Sequence, residues 1–348
     1  MELYLKSVNK FFKKSAKRKK LKFFSTKENQ NLHHVLRNLN LEVHDNEIFC
    51  LLGNNGAGKS TLLNCVGGIH VPESGLLVLR TGGEIIDIVK ESKKAKRKII
   101  FNFQDPKFDT RMSLKSNLDF HLRIYMIERE TRHKLIDEYL SLFNLQSKKN
   151  SKFYFLSGGQ KKQLENIRGF TTSKAFQSND RLFLTDEPTA YCDVSAKKLI
   201  WEELASICEQ GESTVLFSTN DLVEAEKLIK PSNGKIGFIR DGSIAFSGSL
   251  HDLQSKLTSK GNLNLLSDSQ IDGEAFDSFK NLISKQYESI SVSSLEDSHG
   301  INIENINQEQ INMVISEAIT YFQSQNIFLD KIEKVKPTIN DLFIKNGV

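Results

Sequence analysis

The chain has 348 residues, of which 39% are apolar and 26% are charged, and its formal net charge is +5. This composition excludes an intrinsically disordered protein, and the length suits about two domains. The longest unbroken apolar run, Ile48–Leu52, is far shorter than the roughly 18 residues that a membrane-spanning helix needs.

The start of the chain does not contain a basic stretch followed by an apolar one, so we expect no secretory signal. The four cysteines are Cys50, Cys65, Cys192 and Cys208. They are widely spaced and form no C-x-x-C pair, so we expect reduced thiols. Both features favour a cytoplasmic protein.

The charges are distributed unevenly along the chain. Residues 262–348 contain 13 acidic and 6 basic side chains, whereas the rest of the chain is basic overall. We therefore predict a first domain over residues 1–255 and a second, smaller domain over residues 262–348.

The predicted elements of the first domain begin with a strand over residues 2–12 and a basic insertion over residues 13–32. A continuous apolar run at 48–52 predicts a fully buried strand, which a glycine-rich loop follows directly. Apolar residues at helical spacing predict a helical subdomain over about residues 105–160.

The later elements of this domain alternate between strands and a helix. Strands at 182–185 and 214–218 flank an amphipathic helix at 195–210. Residues 236–246 contain two short apolar segments joined by Asp241-Gly242, which predicts a β-hairpin. The hairpin would close the first domain.

The glycine-rich loop has the pattern G-x-x-x-x-G-K-S. Its glycines let backbone N–H groups point at phosphate oxygens, and the following helix adds its positive N-terminal end. Lys59 is suited to reach the β- and γ-phosphates of ATP, and Ser60 to hold Mg²⁺ through its hydroxyl. The predicted nucleotide-binding residues are Gly53, Asn54, Asn55, Gly56, Ala57, Gly58, Lys59, Ser60 and Thr61.

A pair of carboxylates, Asp186 and Glu187, ends the apolar strand at 182–185. Acids often end strands simply to meet solvent. After a phosphate-binding loop, however, this position suits a metal-binding acid and a base that activates water. We therefore predict that Asp186 faces the metal and Glu187 the water.

A third motif, Leu156-Ser157-Gly158-Gly159-Gln160, precedes a charged helical stretch and taken alone predicts a helix cap. With the two preceding motifs it resembles the L-S-G-G-Q signature of ABC transporter nucleotide-binding domains. The resemblance implies an α/β fold with a P-loop NTPase (RecA-like) core, an antiparallel β subdomain and an inserted helical subdomain.

The resemblance also implies roles for three other residues. Gln104 looks like the Q-loop glutamine, which contacts the metal and the attacking water. Phe12 looks like the aromatic residue that stacks on adenine, although Phe11 and a purely structural role for Phe12 remain alternatives. Asp193 looks like the D-loop acid, or it caps the following helix.

In this family two nucleotide-binding domains stack head to tail. Ser157, Gly158, Gly159 and Gln160 of one domain would then close over ATP that the partner domain holds. The resemblance implies a metal site made of Ser60, Gln104 and Asp186, together with Glu187 as the catalytic base.

The sequence departs from the family at Asn220. The segment Ser218-Thr219-Asn220-Asp221 resembles the family's S-T-H-D, in which the histidine contacts the γ-phosphate and the water. Asparagine donates a hydrogen bond but carries no charge. We therefore expect intact ATP binding and slow hydrolysis.

The end of the chain narrows the resemblance. Residues 241–249 resemble a closing stretch of exporter ATPases, and residues 337–344 resemble the P-T-L-E-D-V-F ending of subfamily A and ABC-2 type exporter ATPases. The resemblance implies a small C-terminal α/β accessory domain with a regulatory or dimer-stabilising role. It also implies a separate polytopic membrane subunit.

Two basic runs, at residues 13–22 and 90–98, predict solvated loops. Attraction to anionic lipid is the functional alternative. Nucleic-acid binding is not expected, because neither run has interleaved aromatic residues or a recognition motif.

These features predict the ATP-binding subunit of an ABC exporter, acting as an ATPase on the cytoplasmic face of a membrane. The alternative is a soluble ABC-type switch that regulates another machine with weak or no ATPase activity.

Overall fold

In a computed structural model, the chain divides into two compact units, Met1–Leu250 and His251–Val348. The structure describes residues 1–13, 32–176, 180–232, 234–253, 260–287, 290–295, 299–307 and 309–335. The greater part of the basic insertion predicted at 13–32 and the exporter-like ending at 337–344 lie outside the described residues.

The first unit mixes strands and helices. In chain order its elements are β1 (Glu2–Lys13), β2 (Leu32–Val43), β3 (Ile48–Leu52), α1 (Lys59–Val66), β4 (Ser74–Thr81), β5 (Glu84–Asp87), α2 (Ser92–Lys98), β6 (Ile99–Asn102), α3 (Leu114–Ile124), α4 (Arg129–Leu142), α5 (Gly158–Phe176), β7 (Leu182–Asp186), α6 (Val194–Glu209), β8 (Thr214–Thr219), α7 (Leu222–Ser232), β9 (Lys235–Arg240) and β10 (Ser243–Ser249). Short 3-10 turns lie at Gln146–Lys148 and Phe153–Phe155.

A six-stranded sheet with the order β10-β9-β3-β8-β7-β6 forms the centre of this unit. Neighbouring strands from β9 to β6 are parallel, and β10 pairs antiparallel with β9 as the predicted hairpin. Every residue of β3, β7 and β8 is buried, as expected for parallel strands covered on both faces. The carboxyl ends of β3, β6, β7 and β8 therefore meet at one edge of the sheet.

A second sheet, with the order β2-β1-β4-β5, is antiparallel throughout. Leu3, Leu5 and Val8 of β1 are buried in a core that also contains Phe49 and Leu51 of β3. This shared core joins the two sheets. The antiparallel sheet corresponds to the antiparallel β subdomain that the resemblance implies.

The helical subdomain is built around α3, α4 and α5. In α3, Leu114, Leu118 and Leu122 are buried at a spacing of four residues, which gives the helix one apolar face. The Ser113 hydroxyl accepts a hydrogen bond of 3.1 Å from the Ser116 amide, and this bond caps the start of α3.

The second unit consists of β11 (Lys260–Leu266), α8 (Gly273–Gln286), β12 (Ser291–Ser294), β13 (Gly300–Asn307), α9 (Ile311–Ser324) and β14 (Lys331–Val335). Its strands form an antiparallel sheet with the order β12-β13-β11-β14, and Phe279 of α8 and Phe322 of α9 pack in its core. This topology is the split β-α-β, ferredoxin-like arrangement. The unit is thus the small α/β domain that the sequence predicts.

Among the described residues, no helix has both the length and the apolar character that a bilayer crossing requires.

Candidate nucleotide-binding site

The loop after β3 depends on glycine at two positions. A Cβ added at Gly53 would lie 2.5 Å from the Ile239 carbonyl oxygen, so only glycine fits between the loop and β9. Gly58, immediately before α1, has a φ of 110°, a backbone conformation that residues with a Cβ atom rarely adopt. The loop conformation therefore follows from its sequence pattern.

Lys59 begins α1, and its side chain folds back over the loop. Its Nζ donates to the carbonyl oxygens of Gly53 at 2.7 Å and Asn54 at 3.1 Å. Burial lowers the pKa of Lys59, and the nearby carboxylates of Glu187 and Asp186 oppose this change. The ammonium group is thus held at the loop by neutral carbonyls, which a phosphate oxygen can replace.

A cavity of about 360 Å³ lies above the loop. Its walls combine residues from β2, the loop, α1 and the ends of β6 and β7. They are His33, Val35, Asn55, Gly56, Gly58, Lys59, Ser60, Thr61, Gln104 and Glu187. The structure therefore brings much of the predicted phosphate site together with the predicted Q-loop glutamine and catalytic base.

The predicted carboxylates lie where β7 ends. The Ser218 hydroxyl donates to Asp186 Oδ1, and the Glu187 amide donates to the Ser218 carbonyl oxygen at 3.1 Å. Glu187 has a φ of 46°, an uncommon conformation outside glycine. Gln104 Nε2 donates to Glu187 Oε2 at 3.1 Å. Ser218, the one serine of β8, thus holds both acids, although its position in the S-T-N-D segment does not by itself predict this.

Asn220 follows β8 and lies against the phosphate-binding loop. Its Nδ2 donates to Asn55 Oδ1 at 3.1 Å. The contact brings the residue that departs from the S-T-H-D pattern to the same loop that forms the cavity floor.

The signature segment forms a capping box at the start of α5. The Ser157 hydroxyl accepts from the Gln160 amide at 3.3 Å, and Gln160 Oε1 accepts from the Ser157 amide at 3.2 Å. Ser157 and Gly158 are exposed. Among the described residues that line the cavity above the loop, no signature residue occurs.

Residues 36–190 match the sequence profile of a family described as ABC transporter. Over these residues, which are fewer than half of the chain, the sequence is that of an ABC transporter ATP-binding domain. One relative is the Nod factor export ATP-binding protein I of Cupriavidus metallidurans, which is 33% identical over 196 residues, or 56% of this chain and 61% of the relative. Its counterpart in Cupriavidus pinatubonensis is 31% identical and covers 63% of each chain. The match thus spans less than two thirds of the length of these relatives.

Solved ABC structures agree with this assignment. A dimeric ATP-binding cassette in a post-hydrolysis state with ADP and Pi is 25% identical, with a TM-score of 0.56 over 71% of this chain and 98% of that chain. The ATP-binding subunit of an ABC transporter has a TM-score of 0.59 at 20% identity and covers 74% of this chain and 94% of that chain. This second likeness supports the fold alone, and together they confirm the predicted P-loop fold class.

The segment predicted as the D-loop lies beside the signature segment. A Cβ added at Gly159 would lie 2.6 Å from the Tyr191 carbonyl oxygen, so the two segments are in close contact. Asp193 caps α6, because its Oδ1 accepts from the Ala196 amide at 2.8 Å. The helix-capping alternative is therefore present in the structure, and a role for Asp193 toward a partner domain stays a prediction.

Phe12, the residue predicted to stack on adenine, packs against another ring of the same unit. The Phe12 ring packs edge-on against His70, with centroids 5.4 Å apart, and Phe12 is not among the residues that line the cavity. His33, which pairs with Phe12 between β1 and β2, does line it. No motif marks His33, and only the register of the two strands reveals it. The adenine-stacking role of Phe12 stays a prediction.

Proposed function

We propose that this chain is the ATP-binding subunit of an ABC exporter and couples ATP binding and slow hydrolysis to transport through a separate membrane subunit. The observation that carries this proposal is the single cavity that joins Lys59 and Ser60 to Gln104 and Glu187. Predicted binding and hydrolysis residues that follow three strands, β3, β6 and β7, meet there, at the carboxyl edge of the parallel sheet.

In the proposed reaction, the loop binds the phosphates of ATP through its backbone N–H groups and Lys59. Glu187 then orients and polarises the attacking water. Gln104, which is hydrogen-bonded to Glu187, keeps that carboxylate aimed into the cavity. Asn220 offers an uncharged donor beside the loop and cannot exchange a proton as histidine does.

The donor set suits Mg²⁺. Ser60, Gln104 and Asp186 offer a hydroxyl, an amide and a carboxylate oxygen, the hard ligands that this ion prefers. Ser60 and Gln104 share the cavity wall, and Ser218 fixes the orientation of the Asp186 carboxylate. Bound there with ATP, the ion would offset negative charge on the phosphates.

Dimerisation completes the proposed site. The capping box presents exposed Ser157 and Gly158 at the positive N-terminal end of α5, away from the cavity of the same chain. Such an end is suited to contact the phosphates held by a second ABC domain, whether identical or different. The likeness to a dimeric cassette with ADP and Pi supports this arrangement.

A polytopic membrane partner is the second proposed contact, and it would hold the chain on the cytoplasmic face of a membrane. The names of the relatives, export ATP-binding proteins, support export as the process. Phe120 and Ile124 of α3 and the following Met126 are exposed, and Met126 is 91% exposed. An exposed apolar group of this kind suits contact with another protein. For the second unit we propose a regulatory role. For the basic runs at residues 13–22 and 90–98, attraction to anionic lipid is the proposed functional alternative.

Nucleotide binding and turnover test the ATP-dependent part of this proposal. We expect the purified chain to bind ATP and to release phosphate slowly with Mg²⁺, and Lys59→Met to lose both properties. Lys198→Met is the matched control, because the Lys198 side chain on α6 is 73% exposed and pairs only with Glu202 among the ion pairs described. Absence of ATP binding by the unchanged chain would contradict the proposal.

Recovery of a partner tests the transport part. We expect a polytopic membrane protein to co-purify with the tagged chain from detergent-solubilised membranes of its native host. If the chain is recovered wholly in the soluble fraction without such a partner, the proposal of an exporter subunit is wrong and a regulatory switch is favoured.

A further inference from the structure

Helix α5 carries three charged side chains inside the protein, none of which the proposed reaction uses. Lys162 is 1% exposed, Glu165 is fully buried and Arg168 is 9% exposed. They follow one another at intervals of three residues, so they lie along one side of the helix that begins at the signature. Buried charges are costly and call for a specific partner.

The partners of Lys162 are backbone carbonyl groups of the hydrolysis residues. Its Nζ donates to the carbonyl oxygens of Phe103 at 3.0 Å, Gln104 at 3.4 Å and Asp186 at 2.7 Å. One ammonium group therefore joins residues 103 and 104, here called the Q-loop, to the end of β7.

Glu165 and Arg168 extend this link along the Q-loop. Glu165 Oε1 accepts from the Phe103 amide at 2.8 Å and pairs with Arg168, which donates to the Phe101 carbonyl oxygen at 2.6 Å. β6 is the edge strand of its sheet, and the chain leaves the sheet after Asn102. Backbone groups beyond that point need other partners, which α5 provides.

The contact between α5 and this edge is also tight. A Cβ added at Gly169 would lie 2.5 Å from the Asn102 side chain. Asn166, also on α5, donates through Nδ2 to the Pro188 carbonyl oxygen at 2.7 Å, immediately beyond Glu187. Thus α5 bonds to the main chain at Asp186, at Pro188 just beyond Glu187, and at residues 103 and 104.

We propose that Lys162 is a positioning residue, which transmits the position of the signature helix to Gln104 and Asp186 through their carbonyl groups. This inference rests on the proposed function. When a second domain's phosphates contact the start of α5, a shift of that helix is carried to the Q-loop and to β7 together. Lys162 lies only one helical turn from Gly158, so little of the movement is lost within the helix.

The electrostatics of the site agree with this role. Burial lowers the pKa of Lys162, and Glu165 and Asp186 oppose the change. Burial also raises the pKa of Glu165, whereas the charge of Arg168 and the hydrogen bond from the Phe103 amide lower it. The charged state of each group thus depends on its neighbours, and loss of Lys162 would leave three carbonyl groups without this donor.

The test compares Lys162→Met with Lys161→Met. Both replace an ammonium group by an unbranched apolar end, but Lys161 Nζ lies 5.5 Å from the Phe153 ring centroid instead. For Lys162→Met we expect ATP affinity without Mg²⁺ within about threefold of the original, and a fall in kcat of about 10- to 100-fold, as for a small misplacement of reacting groups. The Mg²⁺ concentration for half-maximal turnover should rise as well. Lys162→Arg should restore most of both properties.

Amide hydrogen exchange gives a readout that needs no nucleotide. In Lys162→Met the Phe103 amide should exchange at least about tenfold faster, because the carbonyl groups of Phe103 and Gln104 lose the hydrogen bonds from Lys162. Lys161→Met should leave this exchange rate unchanged. If Lys162→Met does not fold, Lys162→Gln, which keeps one donor, replaces it in the same comparison.

The outcomes separate the two proposals. If the unchanged chain neither binds nor hydrolyses ATP, the proposed function is wrong, and the exchange experiment still tests the link. If the unchanged chain is active and Lys162→Met keeps its kcat and Mg²⁺ dependence, Lys162 is only a buried structural residue. Unchanged Phe103 exchange would overturn the link directly.

Discussion

The predicted phosphate-binding loop and the predicted hydrolysis residues lie at the same edge of one sheet, but different interactions hold them. The loop is fixed by the close packing of Gly53 against β9 and by the Lys59 side chain, which bonds to carbonyl groups of its own loop. Gln104, Glu187 and Asn220 are instead joined to other segments by side-chain hydrogen bonds. Binding should therefore tolerate changes at the hydrolysis residues, whereas the hydrolysis rate should respond to single side chains there.

The largest effect is expected for Glu187→Gln. Removal of a general base typically costs about 10² to 10⁴ in rate, so turnover should fall by that range while ATP affinity stays close to the original. Steady-state phosphate release and equilibrium ATP binding measure the two properties. A parallel loss of binding would show that the two regions are not separable.

Gly53→Ala should disturb the loop instead. The new Cβ would approach the Ile239 carbonyl oxygen to 2.5 Å, and relief of such a clash costs about 1–3 kcal/mol in stability. We expect a lower melting temperature and weaker ATP binding. Gly273→Ala is the control, because no atom lies within 4 Å of its added Cβ, and it should leave the melting temperature unchanged. Equal melting temperatures for both variants would refute the steric account.

Asn220→His should raise turnover by about tenfold, since a well-placed donor to the transition state is worth up to about 10² to 10³ and asparagine already supplies part of it. The measurement is kcat for phosphate release at saturating ATP. Asn220→Ala serves as the control and should lie below the unchanged chain. Equal rates for the asparagine and histidine forms would show that Asn220 does not limit hydrolysis.

The smallest effect concerns the base of ATP. If Phe12 stacks on adenine, Phe12→Ala should weaken ATP binding by about 1 kcal/mol, or roughly fivefold, at the lower end for base–aromatic stacking. His33→Ala is the matched change on the paired position of β2. Titration with ATP and with inorganic triphosphate separates base contacts from phosphate contacts. A loss only in His33→Ala would assign the contact to His33.

The sequence predicts the parts of this site that depend on local pattern. The glycine loop, the acids after β7 and the signature cap each need only a few neighbouring residues, and the structure has each at its predicted element. Contacts between distant segments are different. Asn220 with Asn55, Lys162 with Asp186 and His33 at the cavity join residues that only the sheet order and the helix packing bring together.

The second unit illustrates the same limit. Its acidic composition indicates a separate domain, but composition does not determine the strand order β12-β13-β11-β14. That order depends on which apolar faces pair. Leu263 and Leu265 of β11, one of the two inner strands, lie in one core with buried residues of both helices. A single sequence does not determine such pairing from local propensity.

Single-turnover hydrolysis tests the separation of binding from hydrolysis most directly. The purified chain is mixed in excess with labelled ATP and Mg²⁺, and bound nucleotide and its cleavage are followed in the same sample. We expect ATP to be bound quickly and recovered largely intact, and ADP then to form slowly. Failure to bind ATP, or formation of ADP as fast as ATP is bound, would contradict this expectation.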